Sequence, residues 1–304
     1  MSSHYSVLKE EALTLLNLRE GGVYVDGTLG RAGHSKEILK RLKDVKIYGF
    51  DLDLQALEEV KNEVNDSRLK LIHANYARMG EFLEDKVDGI LIDLGVSSPQ
   101  FDEGERGFSY RYDAPLDMRM NQEQSLSAKE VVNNYSEEQL AEIFWKYGEE
   151  RLAKRIAREI VESRSKQEIA TTFQLVDVIK KSLPAKELAK KGHPAKRCFQ
   201  ALRIYVNDEL NSLQQLLNDF PNYLKVGGRI VIISFHSLED RMVKQRFKQV
   251  TSVDDDKSIP LLPSEIPTAD YRLLSKKAVV ASEKELAENK RSHSAKLRAI
   301  ERVK

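Results

Sequence analysis

Four polar clusters punctuate the first hundred positions, and each follows a short apolar run. The first, Asp26-Gly27-Thr28-Leu29-Gly30-Arg31-Ala32-Gly33-His34, follows Val23-Tyr24-Val25. Glycines let backbone approach a ligand closely and permit positive φ. A loop that opens a helix also presents free N–H groups. This loop is either a nucleotide-type cofactor site or an ordinary strand-to-helix turn. The second cluster is Asp51 with Asp53, after residues 46–50. A carboxylate there accepts hydrogen bonds from both hydroxyls of a ribose, each charge-assisted bond contributing roughly 1.5–3 kcal/mol. Asp also suits a helix N-cap, so Asp53 is expected to cap the next helix and leave Asp51 for the ribose. The third, His73-Ala74-Asn75-Tyr76, lies where an adenine ring belongs, with Tyr76 either packing on the base or filling core. The fourth is Asp93-Leu94-Gly95-Val96-Ser97-Ser98-Pro99-Gln100-Phe101. It sets Asp93 beside the non-nucleoside end of such a cofactor and Ser98-Pro99 at its reacting end. A turn explains Ser97 and Ser98 but not an acid ending an apolar strand. Nicotinamide enzymes also pair a glycine loop with an acid after the second strand. Their Gly-x-Gly-x-x-Gly spacing is absent, however, and no Gly-Lys-Ser/Thr completes a P-loop.

The elements that must position these clusters read as an α/β sheet. Residues 23–25, 46–50, 69–72 and 89–94 are near-continuous apolar runs, separated by helical patterns at 35–42 and 54–64. That alternation marks a parallel sheet covered on both faces, whose C-terminal strand edge is where ligands bind. After loop-like residues 99–121 the pattern turns helical. Ser136 with Gln139 and Thr171 with Gln174 form capping boxes before apolar stripes, and Leu152, Ile156 and Ile160 continue a helical face. One long helix is expected from near Pro194 to Pro221, carrying Phe199, Leu202, Val206, Leu210, Leu213 and Leu217. Sheet character returns at 229–235, a helix follows at 237–247, and 254–267 reads as a polar loop. Residues 271–280 and 296–303 are expected to pair as the last two strands. The expected architecture is a discontinuous α/β domain, 1–110 with 207–304, interrupted by a helical insertion at 111–206.

Bulk composition sets limits. The 304 residues are 41% hydrophobic and 32% charged, enough for a sizeable core and a solvated surface. No apolar run reaches membrane-spanning length, and residues 1–16 mix Lys9, Glu10 and Glu11 with apolar residues, unlike a signal peptide. The single cysteine, Cys198, excludes an internal disulfide and is expected in the core; a reducing cytoplasm is the simplest setting. Six scattered histidines offer no zinc-ligand spacing, so no metal is expected. A net charge of +1 argues against coating nucleic acid by charge alone, but not against a local basic face.

The motifs taken together resemble the MraW (RsmH) family of small-subunit ribosomal RNA methyltransferases. The resemblance runs from His4, Val7-Leu8 and Glu11 through Tyr24–His34, Asp93–Gln100, Arg106-Gly-Phe-Ser109 and Pro115-Leu-Asp-Met-Arg-Met120. It continues in Tyr147–Arg151, His193–Arg197, Phe199–Arg203, Ile233–Arg241 and Ser294–Arg298. It implies a class I Rossmann-like fold with a helical insertion, and S-adenosylmethionine as cofactor. Ala32, Gly33 and His34 would contact that cofactor, Asp51 would hold its ribose, Tyr76 would flank the adenine, and Asp93 and Gln100 would complete the pocket. Ala32 departs from the glycine common in the family; its methyl is tolerable only with negative φ.

The resemblance also implies the acceptor: the exocyclic N4 of a cytidine in the peptidyl-site decoding region of 16S rRNA, within the small ribosomal subunit. The lone pair of that amine is delocalised into the ring. Ser98-Pro99-Gln100-Phe101 resembles the acceptor loops of amino-methyltransferases: Ser98 would accept a hydrogen bond from the amine and Phe101 would stack on the base, so that orientation and electrostatics carry the rate. The base must be unstacked to enter. Candidate RNA contacts form three basic clusters: Arg151, Lys154, Arg155 and Arg158; Lys186, Lys190, Lys191, Lys196, Arg197 and Arg203; and Lys290, Arg291, Lys296 and Arg298. The first is the weakest because Glu159 and Glu162 share its helix. His193, Arg197, His236 and Asp240 are substrate-binding or loop-supporting, with His236 alternatively capping a helix; Asp117 and Arg119 either touch RNA or pair with each other. Two alternatives stay open: an amino-methyltransferase acting on another substrate, and a non-catalytic assembly factor that binds the cofactor. The sequence leaves the oligomeric state undetermined.

Overall fold

The computed structural model describes residues 6–96, 104–253 and 268–304. The chain forms two compact units, 1–95 with 211–304, and 96–210.

In the first unit, strands β1 (Gly22–Asp26), β2 (Val45–Asp51), β3 (Leu69–His73), β4 (Val87–Asp93), β5 (Leu224–Ser234), β6 (Tyr271–Leu273) and β7 (Lys296–Arg302) form one sheet in the order β3-β2-β1-β4-β5-β7-β6. The first five are mutually parallel, while β7 runs antiparallel to β5 and β6. The expected pairing of the two last strands is therefore present, though β6 spans only three residues. Alternate strand residues feed opposite cores. Tyr24, Ile47, Leu91, Val231, Ile233, Leu297 and Ala299 pack with helices α1 (Lys9–Leu16), α2 (Gly33–Arg41) and α3 (Leu54–Glu63). Val25, Tyr48, Phe50, Ile90, Ile92, Ile230, Ile232 and Ile300 pack against the opposite face. Two covered faces are why these strands read as unbroken apolar runs. Each fully buried Ile or Leu contributes roughly 1.5–3 kcal/mol.

The second unit is helical: α4 (Ala128–Asn134), α5 (Glu137–Gly148), α6 (Ala153–Arg164), α7 (Thr172–Ser182), α8 (Ala185–Leu188) and α9 (Lys196–Val206). Capping boxes open α4 at Ser127–Glu130, α5 at Ser136–Gln139 and α7 at Thr171–Gln174. Its core gathers Phe108, Leu140, Phe144, Ile156, Ile160, Leu175, Ile179, Phe199 and Leu202, with Cys198 fully buried among them.

The expected single long helix is two. α9 ends at Val206, and α10 (Glu209–Tyr223) starts after Asp208, whose φ is 52°. Asn207 fixes the joint: its Oδ1 accepts from the Met120 amide at 2.7 Å, and its Nδ2 donates to the Met118 and Arg203 carbonyls at 2.8 Å each. Nor does Pro221 stop the helix, because it lies inside the last turn of α10. A proline lacks the N–H that its i−4 carbonyl would accept. Here that carbonyl, Leu217 O, accepts instead from Arg246 Nε at 2.8 Å, and Arg302 Nη1 serves the Pro221 and Leu224 carbonyls at 3.0 and 2.7 Å. α11 (Ser237–Thr251) and α12 (Glu283–Glu288) complete the first unit; Phe220 of α10 and Phe247 of α11 pack on the sheet. Among the described residues no helix is long and apolar enough to cross a membrane.

Candidate functional site

Asp26, Asp51 and Asp93 are the last residues of β1, β2 and β4, so the parallel sheet brings three carboxylates to one edge. The glycine loop is tied down across that edge. The Gly27 amide donates to the Leu91 carbonyl at 2.9 Å and the Leu29 amide to the Phe50 carbonyl at 2.8 Å. The Gly30 amide donates to Asp51 Oδ2 at 2.7 Å, and the Asp93 amide donates to Thr28 Oγ1 at 2.7 Å. Tyr76 opens the 3₁₀ turn after β3 and lies against Gly27, where a Cβ would fall 3.0 Å from its own Cβ. The structure thus gathers Ala32, Gly33, His34, Asp51, Tyr76 and Asp93 within one unit. Ser98, Gln100 and Phe101 lie outside the described residues.

The three acids differ in how far their oxygens are satisfied. Asp51 Oδ1 accepts from the Asp53 amide at 2.8 Å, while Asp53 caps α3 through its bond from the Gln55 amide. The division of labour expected between these two acids holds for the cap. The Leu52 amide also bonds the Asp51 carboxylate, and a carboxylate carries more acceptor sites than these amides fill. Asp26 is 2% exposed; its Oδ2 accepts from Ser35 Oγ at 2.6 Å and its Oδ1 has no partner among the described residues. Asp93 Oδ1 is likewise buried without one. Burial pushes Asp51 up to about 6, with the Asp53 charge adding to it, and pushes Asp26 up to about 6, against the Ser35 hydroxyl. Burial and then the Asp26 charge hold Asp93 well above the usual carboxylate range. The other end of β4 makes the contrast. Burial also acts on Asp88, but the Val23 amide, Lys225 and Arg19 hold its carboxyl below the ordinary value. One strand carries a saturated acid at its N-terminal end and a hungry one at its C-terminal end.

Ala32 corrects an expectation. Its φ is 58° and it is fully buried, so the methyl that required negative φ sits in the left-handed region. That conformation costs an L-residue about 1–2 kcal/mol. The turn is enforced by the Ala32 amide bonding to the Leu29 carbonyl and the Lys36 amide bonding to the Ala32 carbonyl, both at 2.7 Å. At Gly33 a Cβ would fall 2.0 Å from Ser6 Oγ, so the N-terminal segment approaches this position closely and a side chain here would displace the Ser6 hydroxyl. His34 is buried with Nε2 unpartnered among the described residues, and burial lowers it to about 4, keeping the ring neutral.

Other expected residues take structural places. His236 caps α11, its Nδ1 accepting from the Glu239 amide at 3.4 Å. Asp240 is held by Arg298 at 2.7 Å and Lys296 at 3.1 Å. Asp117 pairs with Arg119 at 2.7 Å. Arg197 donates to the Glu149 carbonyl at 3.3 Å, and His193 stacks on Tyr110 with centroids 4.2 Å apart. Sequence reasoning gave Asp26 no role of its own. The signal was present, since Asp26 ends an apolar strand as Asp93 does. The buried Glu239, whose charge also acts on Asp93, had no such signal because it stands in the first turn of α11 and not at a strand end.

Two features of the edge test whether a cationic nucleoside fits. Lone pairs remain on Asp51 for hydroxyls, and bare buried oxygens on Asp26 and Asp93 favour positive charge or donors. Both requirements are met by a molecule with a ribose at one end and an ammonium and a sulfonium at the other. Among the described residues no group of three or more His, Cys, Asp or Glu could hold a metal ion.

The sequence profile of the MraW methylase family matches residues 1–303. The chain is 52% identical over 309 residues to the ribosomal RNA small subunit methyltransferase H of Spiroplasma kunkelii, covering 99% of each. It is 48% identical over 311 residues to the protein of that name from Limosilactobacillus fermentum, again covering 99% of each. It is 49% identical to the one from Exiguobacterium sibiricum, covering 100% of this chain and 99% of that one.

Proposed function

The chain belongs to the MraW methylase family, and from that premise we propose that it methylates the exocyclic N4 of a cytidine in the peptidyl-site decoding region of 16S rRNA, using S-adenosylmethionine, on the small ribosomal subunit in the cytoplasm. The names of its relatives support a small-subunit ribosomal RNA acceptor. The observation that carries the chemistry is the strand-edge acid set, Asp26, Asp51 and Asp93, with its raised proton affinities and two bare buried oxygens.

When bound, the cofactor supplies an electrophilic methyl on a sulfonium centre. The chain's own residues bind and orient. Asp51 receives the ribose hydroxyls with the acceptor capacity left beside the Gly30, Asp53 and Leu52 amides. Tyr76 flanks the adenine. Asp93, with Asp26 behind it, lowers the free energy of positive charge at the amino-acid end, and Ala32, Gly33, His34 and Gln100 close the pocket. Ser98 accepts a hydrogen bond from the cytosine amine and Phe101 stacks on the ring, so the nitrogen lone pair leaves conjugation and faces the methyl. No strong base is required beforehand, because the methylated amine is acidic and releases its proton afterwards. The helical residues 111–206 serve recognition of the RNA.

The test is transfer of labelled methyl from S-adenosylmethionine to small subunits from cells lacking this enzyme, followed by mapping of the modified base. Label at N4 of one decoding-region cytidine is expected. Label on another base or on protein would replace the acceptor, and tight cofactor binding without transfer would leave an assembly factor.

A further inference from the structure

The segment before α1 lies on the glycine loop. Ser6 Oγ occupies the space beside Gly33, and His34 hydrogen-bonds the Val7 backbone. Leu8 then turns through the left-handed region, φ 49° and ψ 36°, as the N-cap of α1, with no side-chain cap of its own and its side chain fully buried. A left-handed leucine persists only where its surroundings impose it. The imposing group comes from the far end of the sequence: the Leu8 amide donates to Glu285 Oε1 at 2.8 Å, a buried bond spanning 277 positions. Glu285 is 5% exposed in α12, and the same oxygen accepts from Ser292 Oγ at 2.6 Å, with Ser292 1% exposed. Ser282 caps the helix that carries Glu285, and the Asn289 amide bonds back to the Glu285 carbonyl at 2.6 Å. α12 and the segment after it are close enough to the site for the charges of Glu285 and Arg291 to act on Asp93 in opposite directions.

We infer that Glu285 is a positioning residue for cofactor binding: through Oε1 it clamps the Leu8 amide to the C-terminal segment and so holds residues 6–8 against Gly33 and His34. The inference rests on the reading of Gly33 and His34 as cofactor contacts. An uncompensated Leu8 amide in this interior would be costly, so without the clamp the left-handed turn unwinds and the loop loses the wall that sets its shape. The clamp needs an oxygen acceptor at Oε1 and does not need the negative charge. Glutamine therefore preserves it, whereas alanine removes it.

The test is titration calorimetry of the full-length protein with S-adenosylmethionine, paired with amide hydrogen exchange of residues 6–8 in the cofactor-free protein. Glu285→Ala is expected to raise Kd at least tenfold and to speed exchange at Leu8 at least a hundredfold, with α2 and the sheet still protected. Glu285→Gln is expected to restore both to within threefold of the parent. Faster exchange at Leu8 with unchanged Kd would overturn the inference, as would a Kd change in Glu285→Ala that Glu285→Gln does not restore. Should Glu285→Ala fail to fold, Ser292→Ala carries the test, since it removes one of the two donors that orient Oε1. Its Kd must then rise in step with Leu8 exchange, and exchange rising alone would refute the idea. A parent protein that binds no S-adenosylmethionine would instead defeat the cofactor reading itself.

Discussion

At the scale of single residues, the proposed role of the strand-edge acids in cofactor binding predicts an affinity that depends on pH. Asp26 and Asp51 are pushed up to about 6 by burial, so each is substantially protonated in the free protein below that value. A cation binds the ionised forms, and each such group weakens binding about fourfold at half a unit below its pKa. Calorimetric Kd for S-adenosylmethionine is thus expected to rise roughly tenfold between pH 7.5 and 5.5, with proton release on binding near pH 6; a flat profile would remove the acids from the binding step. The effect on folding has the opposite sense. These groups hold more protons in the native than in the unfolded chain between about 4 and 6, so their contribution to stability falls as pH rises through that window. Ala32 invites a second measurement. Glycine there would relieve about 1–2 kcal/mol of left-handed strain. It would also give up about 0.8 kcal/mol of methyl burial and about 0.5–1 kcal/mol to the looser unfolded chain. The contributions nearly cancel, so Ala32→Gly is expected to shift unfolding free energy by less than about 1 kcal/mol. Ala32→Val keeps the strain and adds a branched side chain to a filled core, and should cost more than about 2 kcal/mol. Denaturant titration separates the two. Asp51 and Asp93 were legible in sequence because a carboxylate ending an apolar strand loses hydration and must recover it from a partner. The φ of Ala32 was not, since it is set by the Leu29 and Lys36 backbone bonds.

At the scale of elements, capping chemistry was readable because it is local. Ser136–Gln139 and Thr171–Gln174 each satisfy helix-end amides within four residues of sequence. The break between α9 and α10 was hidden for the converse reason. Leu202, Val206, Leu210, Leu213 and Leu217 keep helical spacing straight through it, and the break is made by a side chain reaching residues nearly ninety positions away. Pro221 misled for the same reason: its usual penalty is met by Arg246 and Arg302 from other elements. Asn207 gives the joint a measurable weight. It is 6% exposed and its amide group makes three bonds, to Met118, Met120 and Arg203. Alanine would strand the Met120 amide and the Met118 carbonyl, each loss costing about 1–3 kcal/mol. Asn207→Ala is expected to lower unfolding free energy by about 3 kcal/mol, and a loss under 1 kcal/mol would show that water or a shifted backbone satisfies both groups.

At the scale of the whole molecule, 49 basic and 48 acidic residues nearly cancel, so binding to RNA must come from where the cations are left unpaired. The ion pairs of the structure separate individual members of the three basic clusters. In the C-terminal cluster, Lys296 and Arg298 are engaged by Asp240. On α6, Arg158 reaches Glu137 at 3.6 Å, while Lys154 and Arg155 are exposed and pair with no carboxylate among the described residues. Around α8 and the start of α9, Glu187 holds Lys190, and Arg203 pairs with Glu209. Lys191 and Lys196 are exposed there and pair with no carboxylate among the described residues. An exposed unpaired lysine is the kind that displaces a counterion from a phosphate, and each such contact contributes about 0.7–0.9 to the slope of log K against log salt. Association with small subunits is therefore expected to weaken steeply between 50 and 200 mM salt (concentrations on the order of those that separate charge-driven from neutral binding). Replacing both Lys191 and Lys196 by serine should reduce that slope by about 1.5, whereas Arg158→Ser, which removes an already paired charge, should leave it nearly unchanged. Filter binding across the salt range reads both. Equal slopes for the parent and the double variant would move the RNA track off this segment. A slope lost in Arg158→Ser would place it on α6, where an ion pair would have to open before a phosphate could enter.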